Sequence, residues 1–384
     1  MISFKTPYTP EEVDFDGSRL EVLNKHFIKI MEAGEIQSAN YCLSRDGKVF
    51  ANTALGKLSY KVEDDRPVQP DTIQNIASIT KLFCAAAIFK LVENGKLRLD
   101  QAVGDFIEEF KAPPFDKINI AHLLTHSSGM MADPGCFENK YFVSPWELID
   151  KMKGDNWIEA ALASGMRKKP GEEWAYCSFG FAILGEIISR VSGVFAHDYI
   201  IENICKPCEM EDTFFELTPE TAKRHAVRNE WIEKHINTTL AGEKEDHGIW
   251  SKIPGTGGEM HSTAYDLVKF GTMLLNKGTY NGKRILGRKT VEKMTSQQTP
   301  VLKDYTWNSG GVDRPYALGP DMRNNLGTLY SMGTFYHEGA GACSLIVDPV
   351  EKLVAAWFVP FTTENVWHTH ALVNASSIIW SGLK

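Results

Sequence analysis

The run Ile76-Ala77-Ser78-Ile79-Thr80-Lys81-Leu82-Phe83-Cys84-Ala85-Ala86-Ala87-Ile88-Phe89-Lys90-Leu91-Val92 constrains the fold more than any other stretch of the chain. Apolar residues occupy nearly every face of the helix it predicts, as far as Lys90. A helix that is apolar all round has to be enclosed on most sides, so the chain must build a core around it. The material is ample: of 384 residues, 43% are hydrophobic and 11% aromatic. That length sets a prior of two or three domains.

Ser78 and Lys81 stand three apart, on one face of the first turn of this helix. Ser78 is at a natural cap position. Ordinary capping boxes carry Glu or Gln three residues later, because an acid complements the positive helix N-terminus. A lysine there is opposed by the helix dipole and, when buried, by desolvation, and both effects favour the neutral amine. A neutral amine beside a serine hydroxyl is what activation of a nucleophile requires. Two fixed positions alone are a weak signal, and a plain cap with a snorkelling lysine accounts for them equally well.

The rest of the chain predicts strands at its ends and helices between. Ser18-Arg19-Leu20-Glu21 reads as a capping box opening a helix through about Met31. Asn40 to Ser44 and Lys48 to Thr53 read as strands joined at Arg45-Asp46-Gly47. Ser144-Pro145-Trp146-Glu147 is a second capping box, Phe179 to Val191 a long apolar helix stopped at Gly193, and Thr263-Ala264-Tyr265-Asp266 the cap of another running through Leu275. Cys343 to Val347 and Leu353 to Val359 are β-prone, and about His370 to Trp380 predicts a closing helix. This is an α+β layout: an antiparallel sheet formed by both termini and flanked by helices, with a mostly helical region inserted. The expected division is 1–75 with 296–384 as an α/β domain and 76–295 as a mostly helical domain, the site lying at their interface.

Further blocks accompany the Ser-x-x-Lys helix. Leu91-Val92-Glu93-Asn94-Gly95-Lys96-Leu97 follows it. Ile120-Ala121-His122-Leu123-Leu124-Thr125-His126-Ser127-Ser128-Gly129-Met130, Pro170-Gly171-Glu172-Glu173-Trp174-Ala175-Tyr176-Cys177-Ser178, Gly257-Gly258-Glu259-Met260-His261-Ser262-Thr263-Ala264 and His337-Glu338-Gly339 come later in order. Together they resemble the serine β-lactamase-like and penicillin-binding-protein superfamily, and within it the class C β-lactamase and family VIII carboxylesterase branch. The resemblance covers roughly residues 20 to 360 and implies a β-lactamase/transpeptidase-like fold.

It also implies roles. Ser78 would be the nucleophile of an acyl-enzyme, with Lys81 and Tyr176 moving its proton; a tyrosine serves as a base only where a nearby cation favours the phenolate. Read alone, Tyr176 between Trp174 and Phe179 is equally a packed aromatic. The backbone N–H groups of Ser78 and Ala340 would form the oxyanion hole. Ser178, His337, Gly339 and Trp174 would contact substrate. Two departures bear on its nature: Ser178 stands where the pattern has an asparagine that reaches a substrate amide, and His337 stands where it has a lysine. Histidine is a weaker, pH-dependent anchor for a carboxylate. The expected activity is therefore a carboxylesterase on short-chain esters, ahead of a β-lactamase, a D-Ala-D-Ala-type carboxypeptidase or D-aminopeptidase, and a receptor-like member without turnover.

The remaining signals are read blandly. With a net charge of −8 and no basic stripe, nucleic acid is not an expected partner. No apolar run reaches membrane-spanning length. The opening residues lack the basic and apolar regions of a leader, and the seven cysteines form no framework, so free thiols and a cytoplasmic location are expected. His122 and His126 are four apart but belong to the turn block, and no metal is expected. Cys205-Lys206-Pro207-Cys208 follows a helix rather than a strand, and Gly255-Thr256-Gly257-Gly258 lacks the end of a phosphate loop. Trp146 and Trp157 read as core. A small acyl substrate, ester or amide, is the one expected partner, and no cofactor is implied.

Overall fold

The computed structural model of the chain describes all residues except 139–141, 153, 155, 244–246, 298–299, 323–326 and 361–372. Both chain ends supply one antiparallel sheet. Its strands are β1 (Ile2–Ser3), β2 (Ser38–Arg45), β3 (Lys48–Gly56), β4 (Phe335–Gly339), β5 (Cys343–Asp348) and β6 (Leu353–Phe358), in the spatial order β1-β3-β2-β6-β5-β4. The β2–β3 hairpin closes at Asp46 and Gly47, which both adopt positive φ, 50° and 75°. That is the turn geometry that suits a right-twisted hairpin.

Alternation along the strands separates two apolar cores. Ala39, Tyr41, Leu43, Ala355 and Trp357 face α1 (Ser18–Glu32) and α5 (Ala375–Trp380). Cys42, Leu345, Val354, Ala356 and Phe358 face the larger core. This second core runs without a break into α2 (Thr80–Glu93) and α3 (Ser178–Ser192). Helix α4 (Ala264–Leu275) lies in the span 76–295 yet covers the sheet, packing on β2, β5 and β6. Every residue of α2 is buried except Lys90, Val92 and Glu93, as its all-round apolar pattern requires.

Several local expectations are met and others corrected. α3 stops at Gly193 in the left-handed region, with φ 79°, and Thr263 caps α4 by accepting the Asp266 N–H at 3.1 Å. Ser18 is no cap: Gly17 precedes the helix, and the Asp16 carboxylate takes the Ser18 N–H at 3.0 Å. The segment after Ser144 is a 3-10 helix, Pro145–Lys151, with Glu147 accepting the Ser144 N–H at 2.8 Å. The start of the closing helix, at His370, lies outside the described residues. All seven cysteines are buried and free.

Candidate active site

Ser78 is not a cap either. It sits in a 3-10 turn, Ala77–Ile79, that feeds α2, and its side chain caps nothing. Ala77 adopts φ 44°, a left-handed conformation that costs a non-glycine residue about 1–3 kcal/mol and persists only where neighbours enforce it. Here Asn75 enforces it. Its Oδ1 accepts the Ala77 N–H at 3.2 Å, and its Nδ2 donates to the Gly258 and Met260 carbonyls, each at 3.2 Å. The short antiparallel pair of Gln74–Asn75 with His261–Ser262 carries both sides of this brace.

Lys81 is fully buried. Its Nζ donates to Gly257 O at 2.6 Å and lies 3.1 Å from Ser78 Oγ, 4.9 Å from the centre of the Tyr176 ring and 5.5 Å from that of Phe181. It forms no ion pair among the described residues. In place of a carboxylate, a backbone carbonyl and two aromatic faces surround the nitrogen. Tyr176 completes the group: its hydroxyl donates to Ser78 Oγ at 2.7 Å. The serine oxygen thus lies between an amine and a phenol, both within proton-transfer reach.

Tyr176 is fixed from its own segment and from behind. Trp174 N–H donates to Lys303 O, Ala175 N–H to His126 O, and Tyr176 O accepts from Asp133 N–H. The His126 ring lies 4.5 Å from the Tyr176 ring, centre to centre, and Trp307 lies 5.4 Å away on an exposed side. His126 Nδ1 accepts the Cys177 N–H at 3.0 Å, which leaves the ring proton on Nε2. Burial, then the Lys81 charge, hold this imidazole well below its ordinary pKa. Neither His122 nor His126 is poised as a metal ligand: His122 Nδ1 accepts the Asn119 N–H at 3.2 Å.

β4 is the outermost strand at one end of the sheet. Tyr336 exchanges both backbone hydrogen bonds with Asp321 across that edge. By the two-residue period, Glu338 presents its N–H and C=O on the same side, and Ala340 follows directly where the strand gives way to a turn. Gly339 lies against the nucleophile turn so closely that a Cβ would collide with Ile76 O and Cys343 Sγ. The amide N–H groups of Ser78 and Ala340 have no acceptor among the described residues.

The other predicted contacts are placed less simply. His337 is buried, with Nδ1 donating to Glu338 O at 2.7 Å and Nε2 at 3.2 Å from the Tyr316 hydroxyl. Burial, followed by the Lys81 charge, pushes its pKa down to about 3. It is therefore a neutral ring with both nitrogens engaged rather than a cation at neutral pH. Trp174 is 1% exposed, with the Arg314 guanidinium 4.1 Å above its ring, so it supports Tyr176 from behind and does not face the cleft. Ser178 opens α3, its N–H given to Asp133 Oδ1 at 2.7 Å, and its Cβ borders Gly257. Burial raises the Asp133 carboxyl, against the opposing pull of Lys81.

A family model, Beta-lactamase, matches residues 23–371. The chain belongs to the β-lactamase family. Among solved structures, this family member is similar to a penicillin-binding protein homologue from Caulobacter crescentus, with 20% identity, 95% of this chain and 98% of that one covered, and a TM-score of 0.75. A family VIII carboxylesterase matches with 20% identity, coverage of 99% and 100%, and a TM-score of 0.75. Among curated proteins, an Escherichia coli (strain K12) protein named "Putative D-alanyl-D-alanine carboxypeptidase" is 26% identical over 373 residues, covering 91% of this chain and 83% of its own length. The family and the fold make the chain a hydrolase of the β-lactamase and penicillin-binding-protein type.

Sequence reasoning missed Asn75, Asp133, Trp307, Tyr316 and the carbonyl of Gly257. The last contributes only backbone, which no residue type announces. Asn75 and Asp133 stand just outside the quoted blocks, where their types read as ordinary polar residues, and Trp307 and Tyr316 are distant in sequence and meet the motifs only through the fold.

Proposed function

We propose that the protein is a serine carboxylesterase acting on short-chain esters through an acyl-enzyme on Ser78. The observation that carries this reading is the placement of Ser78 Oγ 2.7 Å from the Tyr176 hydroxyl and 3.1 Å from Lys81 Nζ. In the first step Ser78 Oγ attacks the ester carbonyl, and its proton passes to the Lys81–Tyr176 pair. The Ser78 and Ala340 N–H groups receive the oxyanion. Collapse breaks the bond to the alcohol oxygen, which takes the proton back from Tyr176. Water, giving a proton to the same pair, then attacks the acyl carbon; Ser78 leaves and is reprotonated, and the acid is released.

Esters are favoured over lactams and D-peptides by the two departures in the site. Ser178 offers a hydroxyl where an asparagine would reach an amide. His337, neutral and bonded at both nitrogens, supplies no cation for a carboxylate on the leaving group. A second reading, D-Ala-D-Ala-type carboxypeptidase, draws on the curated relatives that bear that name. Turnover of p-nitrophenyl acetate, nitrocefin and a D-Ala-D-Ala peptide on one preparation tests the choice. The ester is expected to be fastest, and faster turnover of either of the others would reject the esterase reading.

A further inference from the structure

We propose that Arg228 is a specificity-determining residue that holds a carboxylate on the acyl part of the substrate, so that the preferred esters are monoesters of dicarboxylic acids. This rests on the reading of Ser78 as the acylated serine and names the substrate class of the same site. Arg228 follows the isolated bridge of Val227 to Ser59 and immediately precedes Asn229, the cap of the helix Glu230–Leu240. Its Nη1 donates to Ala340 O at 2.7 Å. That carbonyl lies just past the end of β4, beside the Ala340 N–H assigned to the oxyanion. The guanidinium covers the α-carbon of Gly341, where any Cβ would collide with it, and Gly341 has φ 87°. The cation is thus seated within the substrate-facing edge rather than dangling from the surface.

What it lacks is a counter-ion. Arg228 is half-buried, forms no ion pair and has one hydrogen-bond acceptor among the described residues. Burial disfavours its charge, and no carboxylate opposes that effect. Elsewhere in the structure, buried arginine is paired: Arg314 with Asp304 and Asp321, Arg167 with Glu173. Buried charge is ordinarily paired, and a guanidinium with four free N–H donors fits a carboxylate in two-point fashion. Its side of the cleft follows from the proton path. Tyr176 returns the proton to the leaving alcohol and stands with His126, Tyr316 and His337. Arg228 bonds to Ala340, three residues beyond His337 and past the end of β4, which sets it away from the leaving-group side and toward the acyl chain.

The test uses 4-nitrophenyl monoesters of glutaric, adipic and suberic acid, each against the same ester with its free carboxylate methylated. In the wild-type protein, kcat/KM for the best-fitting monoester is expected to exceed that of its methylated partner by roughly 10- to 100-fold. Arg228→Gln should bring the ratio to about one, and Arg228→Lys should restore part of it. No preference in the wild-type protein for any chain length, or an unchanged ratio in Arg228→Gln, would overturn the proposal while leaving the esterase reading standing. Should Arg228→Gln fail to fold, competition on the wild-type protein decides: the free dicarboxylate must inhibit ester hydrolysis at lower concentration than its dimethyl ester, and equal inhibition overturns the proposal. Absence of hydrolysis of every ester, together with absence of a covalent fluorophosphonate adduct, would instead overturn the underlying assignment of Ser78.

Discussion

Lys81, enclosed on every side, turns its Nζ to the carbonyl of Gly257 at 2.6 Å and, among the described residues, not to a carboxylate. A structural buried lysine would be expected to pair with an acid. This one is held between a backbone dipole and the serine oxygen, where it can give and take a proton without a competing salt bridge. Lys81→Met is accordingly expected to lower kcat on the order of thousands-fold. Because methionine is of similar length and fills the same buried space, the melting temperature should stay within a few degrees of the wild-type value. Ester hydrolysis and a thermal melt on one sample check both halves.

Tyr176→Phe removes a single hydroxyl and keeps the ring packed against His126 and Trp307. Loss of a positioned acid–base group costs roughly 100-fold or more. The account expects kcat to fall by about that factor with KM for p-nitrophenyl acetate nearly unchanged. A fall in affinity alone would assign Tyr176 to binding.

Gly339→Ala places a methyl group against Ile76 O and Cys343 Sγ, the first a backbone atom that cannot swing away. The edge strand must then retreat from the nucleophile turn. Overpacking of this kind costs about 1–3 kcal/mol, and the oxyanion donors separate as well. Expected are a lowered melting temperature and a loss of ester hydrolysis well beyond what instability explains, measured at a temperature where the variant is still folded.

Burial holds several imidazoles neutral in the folded chain: His337 at about 3, His225 and His197 at about 4. In the unfolded chain these rings bind protons near pH 6.5. Between about pH 3 and 6.5 the unfolded state therefore carries more protons, and stability rises with pH across that window. It is fully present above about pH 6.5 and is lost as the pH falls toward the folded values. Each ring contributes a slope of at most about 1.4 kcal/mol per pH unit. Urea unfolding at a series of pH values should show the decline, and His337→Gln should flatten it relative to wild type. Asp133, raised by burial, acts in the opposite sense, so the difference between the two proteins isolates the histidine.

The architecture was legible where pattern and burial agree. The β2–β3 hairpin, the terminal strands and the helix around Phe83 all follow from periodicity and turn residues. The Ser78–Lys81–Tyr176 grouping followed from ordered motifs, although nothing local to Tyr176 separates it from a packed aromatic. The rest depended on chain crossings. Asn75 braces Ala77 only because His261 pairs with it, and Arg228 reaches Ala340 from a segment without a motif. In the sequence His337 reads as a titrating anchor because its type permits that; the Tyr316 hydroxyl and the Glu338 carbonyl, invisible as partners in the sequence, take both nitrogens.

Acylation at Ser78 Oγ is checked by intact-mass analysis after treatment with a fluorophosphonate. One adduct is expected on the wild-type protein, mapped to the peptide carrying Ser78, and none on Ser78→Ala. An adduct that persists in Ser78→Ala, or a folded wild-type protein that takes none, would contradict it.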